Sequence, residues 1–107
     1  MLPLERTFYH ARVSGQEIWI DNVPETDIIQ ENASVFMEPG EIVLGPSKPS
    51  RAKTKNCMGI YYGEGKGLDC CNIFGKVFDE DMSILIELGT KIWKHGGQKL
   101  IFKKIGE

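Results

Sequence analysis

The sequence predicts a mostly β domain, an antiparallel β-barrel or partial barrel with one amphipathic helix at about residues 82–95. Short segments rich in β-branched and aromatic residues recur along the chain, and glycine- or proline-containing turns separate them. Only one segment repeats apolar residues at three- and four-residue spacing. The chain has 107 residues, so we expect a single domain over residues 1–107 whose core needs neither disulfides nor a metal.

The first two strands are expected to form a hairpin. Residues 7–13 and 17–20 flank Ser14-Gly15, a pair of turn-forming residues. Alternation in the second segment places Ile18 and Ile20 on one face of the sheet and Trp19 on the other. Further strands are predicted at residues 35–37, 41–45, 57–62, 73–78 and 98–105.

The glycine-rich segment Gly63-Glu64-Gly65-Lys66-Gly67 is interpreted as a flexible connection between two strands. The spacing of its glycines fits neither the dinucleotide-binding nor the P-loop pattern. No helix is predicted directly after it, so no helix N-terminus is available to bind a phosphate.

The predicted helix presents one apolar stripe, which we expect to pack across the opening of the barrel. Acidic residues 79–81 precede it and suit the positive end of the helix dipole, while Gly96-Gly97 follows Lys94 and His95 and ends it. The stripe is expected to be anchored in the core by Leu85, Ile86, Ile92 and Trp93.

Composition excludes several classes of protein. The net charge is −2, so no excess of positive charge is available for nucleic acid, which we do not expect as a partner. No apolar run reaches the roughly 18–20 residues of a membrane span, and no leader is recognisable, so a cytoplasmic protein without membrane contact is predicted. The cysteines, Cys57, Cys70 and Cys71, are expected to be reduced thiols; their spacing fits no zinc site, and we expect no metal and no cofactor.

His10 and Arg12 are the candidate catalytic residues. They lie two positions apart on a predicted strand, so both side chains leave the same face of the sheet. An imidazole that titrates near neutrality beside a permanent cation suits proton transfer or the binding of a carboxylate. An ordinary solvent-facing pair on an outer strand explains the same pattern equally well.

A series of short motifs resembles a bacterial family of uncharacterised proteins with a cyclophilin-like fold. The chain begins with Leu2-Pro3-Leu4-Glu5, continues with His10-Ala11-Arg12 and the Ser14-Gly15 turn, and later shows Asn72 before Phe74-Gly75. Ile92-Trp93 and Gly97-Gln98-Lys99 complete the series. The resemblance implies a cyclophilin-like antiparallel barrel over nearly the whole chain.

Two departures qualify this resemblance. Members of that family usually carry about thirty further residues before the Leu2 segment, so the resemblance implies an incomplete barrel with open strand edges. We therefore expect a homo-oligomer or a partner that completes the barrel. Prolyl isomerases place an arginine and a glutamine where this chain has Ala11 and Ile60, so the resemblance does not carry isomerase activity over.

The resulting expectation is a protein of unknown function that binds or transforms a small carboxylate metabolite. Arg12 would hold the carboxylate and His10 would move a proton, while Tyr62 and Asn72 would line the ligand. Related domains in bacterial opine-type synthases make small carboxylates reasonable ligands, by analogy of fold alone. A prolyl isomerase or proline-peptide-binding module and a non-catalytic structural subunit remain the alternatives.

Overall fold

A computed structural model describes residues 4–11, 15–21, 33–45 and 57–102 of the chain. Within these residues six β-strands and one α-helix follow each other. They are β1 (Leu4–His10), β2 (Gly15–Ile20), β3 (Ala33–Met37), β4 (Glu41–Leu44), β5 (Met58–Lys76), α1 (Met82–His95) and β6 (Gln98–Phe102). A single 3₁₀ turn (Asp79–Asp81) leads into α1.

The strands form one antiparallel sheet that wraps partly around the helix. Its order is β3-β5-β2-β1-β6, and β4 pairs with β5 outside this path. Within the described residues β3 and β6 stand at the two ends, so the sheet is not closed. The prediction of a mostly β partial barrel with one helix is confirmed. The oligomer or partner that would cover the open edges stays a prediction.

The predicted hairpin is confirmed by the pairing of β1 with β2. His10 lies opposite Ile18, and the Ala11 amide donates a hydrogen bond to the carbonyl oxygen of Glu17. Gly15 has a φ of 101°, which side chains rarely adopt, and a Cβ there would lie 2.8 Å from the carbonyl oxygen of Glu64. The residue at this end of the turn therefore has to be glycine.

The glycine-rich segment is not a connection between two strands, because β5 runs without interruption through it. Gly65 pairs with Gly15 of β2 and with Met37 of β3. At Gly63 a Cβ would overlap the side chain of Gln16. The glycines thus allow the neighbouring strands to approach β5 closely, and the expectation of a flexible connection there is wrong.

Strand β4 pairs with both ends of β5. Ile42 lies opposite Ile60 on one side and Gly75 on the other, and Leu44 lies opposite Met58 and Asn72. We call residues 58–60 and 72–76 the two arms of β5. The long strand therefore bends back on itself around β4.

The main core lies between the sheet and the inner face of α1. The alternation predicted for β2 is confirmed, since Ile18 and Ile20 are both buried. A second, smaller cluster joins β3, β4 and β5 through Met37, Val43 and Tyr61. The buried residues of the main core are Leu4, Phe8, Ile18, Ile20, Leu44, Met58, Ile60, Tyr62, Leu85 and Ile92.

The helix turns a narrower stripe toward the core than its periodicity predicts. Leu85, Gly89 and Ile92 are buried, but Ile86 is 46% exposed and Trp93 is 63% exposed. The prediction that Ile86 and Trp93 anchor the helix is wrong, because both lie on the flank of the stripe, beyond the part that the sheet covers. The helix ends as predicted at Gly96, whose amide donates to the carbonyl oxygen of Ile92.

Within the described part of the chain, no helix has the length and apolar character needed to span a bilayer. Of the cysteines, Cys57 is half-buried. The side chains of Cys70 and Cys71 lie outside what the structure describes.

Candidate functional site

The last residue of β1, His10, is held by hydrogen bonds at both ring nitrogens. Its Nδ1 lies 2.7 Å from the carbonyl oxygen of Ala11. Its Nε2 lies 2.7 Å from the hydroxyl of Tyr62, on the first half of β5. The hairpin thus places the imidazole against β5, and its two polar atoms fix the orientation of the ring.

These contacts determine which nitrogen carries the proton. A carbonyl oxygen only accepts hydrogen bonds, so Nδ1 must be the protonated, donating nitrogen of His10. In a neutral imidazole the other nitrogen is then an acceptor, and the hydroxyl of Tyr62 donates to Nε2. The pair is a neutral phenol donating to a neutral imidazole.

Tyr62 is buried, with 7% of its surface exposed, between the imidazole and the helix. Its ring lies directly against Gly89 of α1, where a Cβ would overlap three ring carbons. Burial disfavours the charged phenolate and so raises the pKa of Tyr62 above 10.0. The phenol therefore keeps its proton, and its capacity to donate, over the whole physiological pH range.

The raised pKa of Tyr62 predicts a loss of stability in alkali. The unfolded chain releases this phenolic proton at about pH 10, whereas the folded protein retains it to higher pH, so stability is complete below pH 10 and falls as pH rises above it. We expect the thermal midpoint of the wild type to fall more steeply above pH 10 than that of Tyr62→Phe. Tyrosinate absorbance during the titration checks the cause, because Tyr62 is expected to ionise above its ordinary pKa of 10.0. Equal slopes in the two proteins would contradict the prediction.

Trp93 completes the site from the helix. Its ring centroid lies 4.5 Å from that of His10, with the ring planes inclined by 60°. The Tyr62 ring meets the imidazole edge-on, and the two ring centroids lie 5.7 Å apart. We call His10, Tyr62 and Trp93 the aromatic cluster. One of its members is mostly exposed and one is buried, so the cluster connects the surface to the core.

Sequence reasoning assigned Trp93 to the core and so missed it as a site residue. Its position offered one signal. It follows Gly89 by one helical turn, on the same side of α1 as Ile86. A large aromatic residue one turn beyond a buried glycine can lean over whatever that glycine allows to approach the helix.

The other predicted site residues are placed differently. Arg12 lies outside the described residues. Asn72 is buried in the second arm of β5, where it pairs with Leu44 of β4 and Ala33 of β3. The structure therefore brings His10 and Tyr62 together, and the roles of all four residues stay predictions.

The aromatic cluster offers three kinds of contact to a ligand. The indole of Trp93 presents an exposed flat surface for stacking, and its ring nitrogen can donate a hydrogen bond. His10 and Tyr62 form a coupled pair of proton-carrying groups. In the described part of the chain no three residues of the metal-ligating types His, Cys, Asp and Glu come close enough to hold a metal ion. The site is thus suited to an organic molecule that has both an apolar and a polar part.

Comparison with known families decides the relationship of the chain. A family described as "Protein of unknown function (DUF3830)" matches residues 1–103. The chain belongs to the DUF3830 family. The expectation of an uncharacterised family is thereby confirmed, while its bacterial origin and the kinship with cyclophilins stay predictions. Comparison with curated protein sequences gives no match for this DUF3830 protein.

A solved structure is similar to this DUF3830 protein in fold. The structure of McbB in complex with tryptophan superposes with a TM-score of 0.76 at 19% sequence identity. The match covers 99% of this chain but 35% of McbB, so the DUF3830 chain spans about a third of that protein's length. At this identity the likeness establishes a shared fold.

Proposed function

We propose that the protein binds a small carboxylate metabolite at the aromatic cluster. The observation that carries the proposal is the position of His10, which is hydrogen-bonded to the hydroxyl of the buried residue Tyr62 and covered by the exposed ring of Trp93. A large exposed aromatic side chain beside a polar pair anchored in the core is typical of a ligand site, because the apolar part of a ligand can stack while its polar part is oriented.

The apolar part of the ligand is proposed to lie along one flank of α1. Ile86 and Trp93 are both substantially exposed and lie two helical turns apart on the same side of the helix. Between them lies the half-buried Thr90, whose hydroxyl donates to the carbonyl oxygen of Ile86. A flat ligand would therefore meet two apolar side chains with one small side chain between them.

The carboxylate is proposed to lie toward His10 and Arg12. Arg12 follows the imidazole by two positions, and a guanidinium fork binds carboxylates with two parallel hydrogen bonds. Asn72 is proposed as an orienting amide in the same site. The tryptophan bound to McbB, a carboxylate with an indole ring, supports testing indole carboxylates first.

A calorimetric titration with three related probes tests the proposal. Indole-3-acetate carries a ring and a carboxylate, tryptamine carries the ring and an amine, and indole carries the ring alone. We expect indole-3-acetate to bind more tightly than the other two. The same comparison with 2-keto acids and amino acids then defines the metabolite. Equal affinities for the three probes would contradict a carboxylate site. The same holds if none of these compounds binds.

Replacing Trp93 by alanine is expected to weaken binding of indole-3-acetate by about threefold to tenfold, because a ring-stacking contact is lost. Phe78→Ala is the matched control, since Phe78 is 68% exposed but lies before the other end of the helix. Titration calorimetry of both variants gives the two affinities. If Phe78→Ala weakens binding as much as Trp93→Ala, the ligand does not lie at the aromatic cluster.

The two alternative functions predict other outcomes. A prolyl isomerase needs polar groups where the resemblance places Ala11 and Ile60, and both side chains are apolar and buried. A proline-peptide isomerisation assay is therefore expected to show no acceleration. A structural subunit would bind none of the compounds in the panel, and its thermal midpoint would be the same with and without them.

A further inference from the structure

We propose that the aromatic cluster takes up one proton together with its carboxylate ligand, so that the ligand is bound while His10 is an imidazolium. This inference rests on the proposed function and adds how that site is regulated. It follows from the hydrogen bonds of His10, which allow only one arrangement of protons in the neutral state and a different one in the charged state.

In the neutral state the pair offers nothing to a carboxylate. Tyr62 has one hydroxyl hydrogen, and it is directed to Nε2 of His10 because Nδ1 donates to the carbonyl oxygen of Ala11. The remaining polar capacity of the phenol is its oxygen lone pair. The oxygen of an incoming carboxylate would face the lone pair of the phenol oxygen, and two acceptors form no hydrogen bond.

Protonation reverses the hydrogen bond between the two rings. Once Nε2 carries a proton, it donates to the oxygen of Tyr62, while Nδ1 still donates to Ala11. The hydroxyl hydrogen of Tyr62 is then released and can turn toward a ligand oxygen. The charged pair offers a carboxylate both a donor and a positive charge, so the ligand and the proton favour each other's binding.

The groups around the imidazole leave His10 as the residue that changes charge. β5 contributes Tyr62, whose raised pKa keeps the phenol neutral. β2 contributes the apolar Ile18 as cross-strand partner, and α1 contributes the uncharged indole of Trp93. The last turn of α1 also carries Lys94 and His95, both exposed.

The first experiment needs no ligand. The chain contains two histidines, so ¹⁵N NMR of the imidazole rings gives two sets of signals, and a His95→Gln variant assigns them. When the imidazole of His10 is neutral, we expect its ring proton on Nδ1. In Tyr62→Phe the Nε2 signal of His10 is expected to shift, because its donor is lost. A proton on Nε2 of His10 in the wild type would overturn the inference.

The second experiment measures the proton directly. Titration of indole-3-acetate in phosphate and in Tris, whose ionisation enthalpies differ, is expected to show uptake of up to one proton in the pH range where His10 is neutral before the ligand binds. The dissociation constant is expected to rise by about tenfold per pH unit there. The His95→Gln variant keeps this slope, and His10→Gln, if folded, loses it.

The outcomes separate this inference from the proposed function. Binding of indole-3-acetate without proton uptake and with a flat pH profile overturns the inference and leaves the carboxylate site in place. Uptake that persists in His10→Gln assigns the proton to another group and also overturns it. Failure of every carboxylate in the panel to bind overturns both.

Discussion

Replacing Ile92 by alanine is expected to destabilise the domain by about 2–5 kcal/mol. Ile92 is 2% exposed and belongs to the main core, where α1 packs on the sheet with Phe8 and Ile18. Truncation removes buried methyl groups and leaves a cavity between α1 and the sheet. The helix cannot move in to fill this cavity, because Leu85 also packs against the sheet. The free energy of unfolding of a domain is about 5–15 kcal/mol in total, so the loss is a large fraction of its stability.

The matched control is Ile84→Ala on the same helix. Ile84 is 66% exposed, so the same atoms are removed without leaving a cavity, and the effect is expected to stay within about 0.5 kcal/mol. Urea unfolding of the two variants gives both values with the same chemistry and the same helix propensity. Equal destabilisation by the two replacements would mean that the buried face of α1 has been assigned to the wrong residues.

Replacing Gly89 by alanine is expected to destabilise the domain by about 1–3 kcal/mol, although the same change elsewhere in a helix stabilises by about 0.5–1 kcal/mol. The sign reverses because a Cβ would overlap Cδ1, Cε1 and Cγ of Tyr62, inside the 3.0 Å that real Cβ atoms keep. The ring is buried and bonded to His10, so it cannot move aside without breaking that hydrogen bond. The helix must shift instead.

A double-mutant comparison isolates this contact. In a Tyr62→Leu background the ring is absent, and Gly89→Ala is expected to lose most of its cost or to become stabilising. Thermal unfolding of the four proteins measures the coupling. A second readout is the ¹⁵N signal of Nε2 in His10, which is expected to change in Gly89→Ala because the shift of the helix moves the Trp93 ring that packs on the imidazole. An unchanged cost in the Tyr62→Leu background would show that the ring does not oppose the added methyl group.

The elements with a clear period are those that could be predicted from the sequence. Alternation in β2 correctly separates Ile18 from Trp19, because a strand has only two faces. A helix has a continuous circumference, and its periodicity gives the direction of the buried face without its width. The width depends on how much of α1 the sheet covers, which is a tertiary property. Ile86 and Trp93 were therefore assigned to the core in error.

Glycine was the main source of error in the middle of the chain. Gly63, Gly65 and Gly67 were interpreted as breaking a strand, because glycine is common in turns. In β5, Gly65 lies where the backbone of Gly15 comes close and Gly63 lies against the side chain of Gln16, and both partners are distant in sequence. Composition alone cannot separate these two uses of glycine.

The candidate site was predictable in part. The sequence indicates His10 as a titratable residue on a strand and Tyr62 as an aromatic residue at the end of another strand. Nothing in the sequence indicates that the two share a hydrogen bond. Their contact depends on the bend of β5 and on the missing side chain of Gly89, which lets the Tyr62 ring lie against the helix. Trp93 was missed for the same reason, because its role follows from what lies beneath it.

The double pairing of β4 determines where the chain could change in length. Because both arms of β5 are aligned to the same three residues of β4, Ile42, Val43 and Leu44, an insertion in either arm would shift one register against the other and expose buried side chains. Between the arms the constraint is weaker. Ser34 lies opposite Cys71 and Phe36 opposite Lys66. One residue of β3 therefore faces the four residues 67–70 of β5. An inserted residue there would lengthen an existing bulge, and this is the part of β5 in which homologous chains can differ in length at the least cost in stability.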